Sequence, residues 1–241
     1  MDSKMKSKDI RYKEILNNLQ FKITDTYKGQ KLQLHSYIRL GLLCKYDKSI
    51  KAIYKLDLAG FFEDANIILR TVFENFITIM YCEINPNKLY KRFFDYNVFN
   101  RLSYISEDNE ISKLISMINK EEIENMKQKK LEFIKNYKPK KFFKWNDMNI
   151  LELCKKNGIK TSDGLRYYKT KFYSSMYIII YKNNSEYIHP NIVNIFENYI
   201  NINSKEKKID LNCNAVMDND FVEIIENLES INKELLKIKF V

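Results

Sequence analysis

Residues 61–84 read FFEDANIILRTVFENFITIMYCEI. At helical spacing, Phe61, Ala65, Ile68, Leu69, Val72, Phe73, Phe76, Ile79 and Met80 share one face. The opposite face carries Glu63, Asn66, Arg70, Glu74 and Thr78, with Ile67 and Ile77 among them. Lysine fills about one position in seven of this chain, yet none occurs between Leu56 and Asn87. Lysine is among the least buried side chains, so such a gap marks surface that water does not reach. A second gap runs from Asn183 to Ser204. Both segments are expected at the centre of a helical bundle.

The rest of the chain extends this pattern. Only 5 glycines and 3 prolines occur in 241 residues, too few for the turns that many strands would need. Helices are expected over 8–27, 30–58, 61–84, 87–106, 109–136, 148–157, 165–182 and 218–239, with a short one over 191–200. Gly29 and Gly60 punctuate the first three. Asn85-Pro86 stops the third, because the residue before proline is pushed out of the α region. Residues 137–147 read as a loop and 203–217 as irregular. The fold class is therefore all-α, a multi-helix bundle read as one domain over 1–241, with 1–30 as a peripheral helix. No repeat, linker or break in composition cuts a second domain.

Apolar residues make up 45% and charged residues 30%, which excludes a disordered chain and a membrane protein. The apolar run MYIII near residue 180 falls far short of the roughly 20 residues that span a bilayer. The formal charge of +10 is compatible with a polyanionic partner, since clustered bases neutralise phosphates. The same charge follows from the Lys, Ile, Asn and Tyr bias of an AT-rich coding sequence, in which arginine is confined to positions 11, 39, 70, 92, 101 and 166. Cys44, Cys82, Cys154 and Cys213 are widely spaced and only two histidines occur, so no zinc site is expected. Such spacing, without an apolar leader, points to reduced thiols and a cytoplasmic location.

Three groups of residues carry candidate chemistry. Arg70 and Glu74 stand one helical turn apart on a face without lysine, either as a simple intrahelical ion pair or as a polar site inside the bundle. In the second lysine-free segment, Ser185 and His189 are four apart, just before Pro190. Histidine titrates near neutrality and can serve as general acid or base, or can simply end a helix with its nitrogens satisfied. Tyr137-Lys138-Pro139-Lys140-Lys141-Phe142-Phe143-Lys144-Trp145 interleaves bases with rings. Its lysines suit RNA phosphates and Trp145 suits a base, while the aromatic residues equally suit pinning the loop to the core.

The string Glu63-Asp64-Ala65-x3-Leu69-Arg70-x3-Glu74, followed by Trp145 and Ser185-x3-His189-Pro190, resembles an uncharacterised bacterial all-helical family from about residue 35 onward. More loosely, a bundle in which arginine and histidine converge is similar to the HEPN (higher eukaryotes and prokaryotes nucleotide-binding) superfamily. Many of those proteins are metal-independent ribonucleases of toxin–antitoxin and phage-defence systems. Their arginine and histidine are separated by about four to six intervening residues on one helix, whereas here Arg70 precedes Glu74 and His189 is remote. The resemblance implies a ribonuclease in which Arg70, Glu74, His189 and Ser185 meet on an RNA phosphate, with no metal or other cofactor required. The other expectation is a non-catalytic scaffold or sensor, with the same residues forming a structural polar network. A homodimer and an operon-encoded protein partner are compatible with both.

Overall fold

The computed structural model describes residues 3–28, 32–106, 120–139, 150–157, 173–182, 200–203, 208–211 and 220–238. The helices are α1 (Ser3–Tyr27), α2 (Leu34–Leu58), α3 (Phe62–Cys82), α4 (Pro86–Ser106), α5 (Lys120–Tyr137), α6 (Ile150–Asn157) and α7 (Asp220–Leu236). Residues 173–182 are also helical, widening to a π-helix over Tyr177–Lys182. The protein is an all-α multi-helix domain, as its scarcity of glycine and proline implies. One departure is a small hairpin, β1 (Ile200–Asn203) antiparallel to β2 (Lys208–Leu211), with Ile200 opposite Leu211 and Asn203 opposite Lys208. It replaces the end of the expected 191–200 helix and part of the stretch read as irregular. Both four-residue strands alternate apolar with polar residues, a period-2 signal too short to stand out in the sequence.

Packing begins with α2. Its buried positions Ser36, Arg39, Leu43, Tyr46, Ile50, Ile53 and Asp57 recur at alternating steps of three and four, the spacing of a seam between helices. α2 ends in a Schellman motif: Gly60 N–H donates to the Asp57 carbonyl at 3.1 Å and Phe61 N–H to the Leu56 carbonyl at 2.9 Å. Gly60 takes φ 85, a left-handed conformation that glycine adopts without steric cost. This turn sets the phase in which α3 begins. Phe62 points inward, and Phe61, expected on the apolar face, is left exposed.

α3 is the central helix, in contact with α2, α4, α6, the 173–182 segment and α7. Five consecutive residues, Asn75 to Ile79, are buried, so its second half is enclosed on all sides. Asn66 and Thr78, expected on a polar face, are therefore buried too. The lysine gap fits this enclosure: the neighbours of α3 cover most of its faces and leave little solvated surface for an ammonium. Phe73 and Phe76 lie with ring centroids 6.4 Å apart, and Phe76 meets Tyr173 edge-on at 5.8 Å. Each such fully buried side chain contributes about 1.5–3 kcal/mol of transfer free energy.

Outer helices are tied on by polar clasps. α1 packs on α2 and α7 through Tyr12, Ile15, Leu16 and Leu19. Its Arg11 makes a bidentate pair with Glu229 of α7, both bonds being 2.7 Å. α4 starts at Pro86, where the missing N–H matters least, after Asn85, whose carbonyl accepts from Leu89 N–H at 2.9 Å. α5 packs on α4. It ends at Lys138, whose φ of 43 and N–H bond to the Ile134 carbonyl at 2.9 Å form a left-handed cap before Pro139. No helix among the described residues is long and apolar enough to cross a membrane.

Candidate functional site

α3 is not sealed along its whole length. Glu63, Ile67, Arg70, Thr71 and Glu74 form one half-covered stripe, at spacings that keep them on a single side of the helix. Arg70 and Glu74 lie at its middle, with side chains 21% and 39% exposed. Arg70 Nε stands 3.6 Å from Glu74 Oε1, an ion pair beyond hydrogen-bond length. The arrangement places a guanidinium where an anion can approach from one side while the bundle supports the other. The pairing itself is the ordinary one for residues four apart on a helix.

His189 and Ser185, the other two expected catalytic residues, lie outside the described residues. So do Lys140, Lys141, Lys144 and Trp145 of the expected nucleic-acid-binding loop. Lys138 is described, and it is exposed at the left-handed end of α5.

Two polar clusters that the sequence did not single out are more deeply built. In the first, Arg39 of α2, 1% exposed, donates from Nε to Glu83 Oε1 at 2.7 Å and from Nη2 to Oε2 at 3.1 Å. Tyr90 of α4 donates its hydroxyl to the same Oε1 at 2.7 Å, and the guanidinium carbon lies 5.7 Å from its ring centroid. Burial works against the Arg39 charge, but Glu83, Tyr27 and Tyr90 outweigh it and hold its pKa above the usual value. Desolvation first, and Glu83 second, drive the Tyr90 phenol far upward. A cation enclosed in this way, matched to a carboxylate and two phenols, is a cross-link between α2, the end of α3 and α4.

In the second cluster, Asp57 sits in the last turn of α2, where the helix dipole disfavours a carboxylate. Tyr12 offsets this by donating to Oδ2 at 2.8 Å, and Lys8 by approaching Oδ1 at 3.3 Å. Burial pulls the Lys8 pKa below its usual value, against the opposing attraction of Asp57. Alongside, Tyr54 donates to Asp9, which also takes Lys13 at 2.6 Å, and the Tyr12 and Tyr54 rings lie 5.0 Å apart. Both clusters have the form of structural clasps, since every charge in them already meets a partner and Arg39–Glu83, Lys8–Asp57 and Tyr54–Asp9 join different elements. The signal that could have found them is the α2 seam, which brings Ser36, Arg39 and Asp57 into phase with its apolar residues.

No curated protein and no solved structure matches the chain. A family model does, over residues 36–209, which takes in α2 to α6 and the hairpin and leaves α1 and α7 outside. With the match covering well over half its length, the chain belongs to the family of unknown function DUF5677.

Proposed function

We propose that this protein is a metal-independent endoribonuclease of the toxin–antitoxin or phage-defence kind, built around Arg70. The observation that carries the reading is the half-covered Arg70–Glu74 pair on the central helix, which keeps a guanidinium within reach of solvent. Arg70 would bind a non-bridging oxygen of the scissile phosphate and offset the charge that grows there as the 2′-oxygen attacks. Glu74 holds the guanidinium in place. His189 serves as general acid or base, taking the 2′-hydroxyl proton or protonating the departing 5′-oxygen, with Ser185 beside it. The products are a 2′,3′-cyclic phosphate and a free 5′-hydroxyl.

The test is cleavage of a labelled single-stranded RNA in the presence of EDTA by wild type, Arg70→Ala and His189→Ala. Wild type is expected to cut, with each variant slower by about a hundredfold or more, the scale of one oxyanion donor or one general acid–base group. Absence of cleavage by the wild type, or equal rates in all three, removes the reading.

A second reading, a non-catalytic scaffold for an operon-encoded partner or a second copy, is favoured by one feature. The Arg70–Glu74 contact lies within a single helix at the usual spacing, like a surface ion pair. Under that reading Arg70→Ala changes neither RNA chemistry nor any cellular phenotype.

A further inference from the structure

We propose that the groove between α4 and α5 is a binding track for single-stranded RNA, separate from Arg70. This rests on the reading of RNA as the substrate. Residues 86–95 and 127–138 hold eight lysines and arginines against two carboxylates, so these 22 positions carry six of the chain's ten net positive charges. The two helices run side by side, held by Tyr137 donating to Asp95 Oδ2 at 2.8 Å, by Arg92 lying 5.4 Å from the Tyr137 ring centroid, and by the Tyr96–Phe133 ring contact at 5.9 Å. Between them lies a cavity of about 170 Å³. That is below the size of a site for an elaborate small molecule and suits one planar ring.

Phe94 opens into this cavity, 49% exposed, with Lys91 on its own helix and Lys129 across the groove. Asp95 is already engaged by Lys91 at 2.7 Å and by Tyr137. Lys88, Lys127, Lys135 and Lys138 are exposed elsewhere on the same two helices, and Glu132 joins Asp95 among the residues that line the cavity. A half-open aromatic ring in a groove rimmed by ammonium groups is the arrangement that stacks a base and neutralises its flanking phosphates. A membrane surface fits less well. Interfacial helices bury a continuous apolar face, whereas among the described residues of α5 only Leu131 and Ile134 expose large apolar side chains.

The experiment is fluorescence anisotropy with a labelled 12-nucleotide single-stranded RNA in EDTA. All proteins carry His189→Ala, so that binding is read apart from any cleavage. Lys88→Glu/Lys129→Glu is expected to weaken binding more than tenfold. It should also flatten the slope of log affinity against log salt by about 1.4, two contacts at roughly 0.7 each. Phe94→Ala is expected to weaken binding about five- to a hundredfold, the range for one stacked base. Lys48→Glu/Lys51→Glu on α2 changes the net charge equally and should bind as the parent does. The proposal is overturned if the α4–α5 variants bind RNA like the parent, or if the α2 control weakens binding as much. It is equally overturned if the parent binds no RNA but sediments with phosphatidylserine vesicles. Groove-dependent binding beside a wild type that cuts no RNA would instead count against the catalytic reading alone.

Discussion

Removing the Arg39 guanidinium should cost this protein far more stability than removing that of Arg70. Arg39 is 1% exposed and Glu83 12%, and Arg39→Ala deletes two of the three hydrogen bonds that the Glu83 carboxylate accepts from Arg39 and Tyr90. Stripping one partner from a buried pair typically costs about 3–5 kcal/mol, because the remaining charge stays desolvated. Set against a total of about 5–15 kcal/mol for a domain, that is a large share. At about 2–4 °C per kcal/mol for a chain of this size, Tm should fall by roughly 6–20 °C. Arg70 belongs to a half-exposed i,i+4 pair at 3.6 Å, for which about 0.3–0.5 kcal/mol is expected. Urea titration followed by circular dichroism reads both variants as shifts in midpoint at constant slope. Removing both charges in Arg39→Met/Glu83→Gln should recover part of the loss, since no bare ion is then left inside. An Arg39→Ala penalty below about 1 kcal/mol, or an Arg70→Ala penalty as large as that of Arg39→Ala, refutes the assignment of Arg39 to architecture and Arg70 to function.

Other outcomes follow from the packing. Gly60→Ala should destabilise by about 1–2 kcal/mol, because the φ of 85 that closes α2 is strained for any side chain, and thermal melts will read it. Gly41→Ala in the middle of the same helix should instead stabilise by about 0.5–1 kcal/mol, as a Cβ there meets open space. Tyr46→Phe should raise the urea midpoint, by about 1–3 kcal/mol in stability, since the Tyr46 hydroxyl is wholly buried with no hydrogen-bond partner among the described residues. Burial also pushes the Cys154 thiol up to about 12, and does the same to Tyr137 with help from Asp95. Between about pH 9 and 12 the folded chain thus keeps protons that the unfolded chain has released, and stability must fall as pH rises. Differential scanning fluorimetry from pH 8 to 11 should show Tm declining; a flat or rising profile would contradict this burial.

The central position of α3 was legible because lysine is so common here that its absence over 30 residues carries information. The helical class was legible for a similar reason, since glycine and proline are almost missing. Arg39 and Asp57 were not recognised, although both fall in phase with the apolar seam of α2. Their partners lie 44 and 45 residues away, at Glu83 and Tyr12, and pairing across helices leaves no local pattern. Phe61 lies outside rather than on the buried face because the Schellman turn at Gly60, not the apolar stripe, fixes where α3 begins. Arg70 and Glu74 were visible as a polar pair without lysine on a helix face. Their half-covered state depends on how the neighbouring helices pack on α3, which periodicity alone does not convey.

Cleavage of single-stranded RNA by the purified protein, in EDTA, with wild type beside Arg70→Ala, tests the account most directly. The account predicts fragments ending in a 2′,3′-cyclic phosphate from wild type, and a loss of about a hundredfold in the variant while its melting curve moves by only a degree or two. Fragments formed equally well without the guanidinium, or none formed by a well-folded wild type, would contradict it.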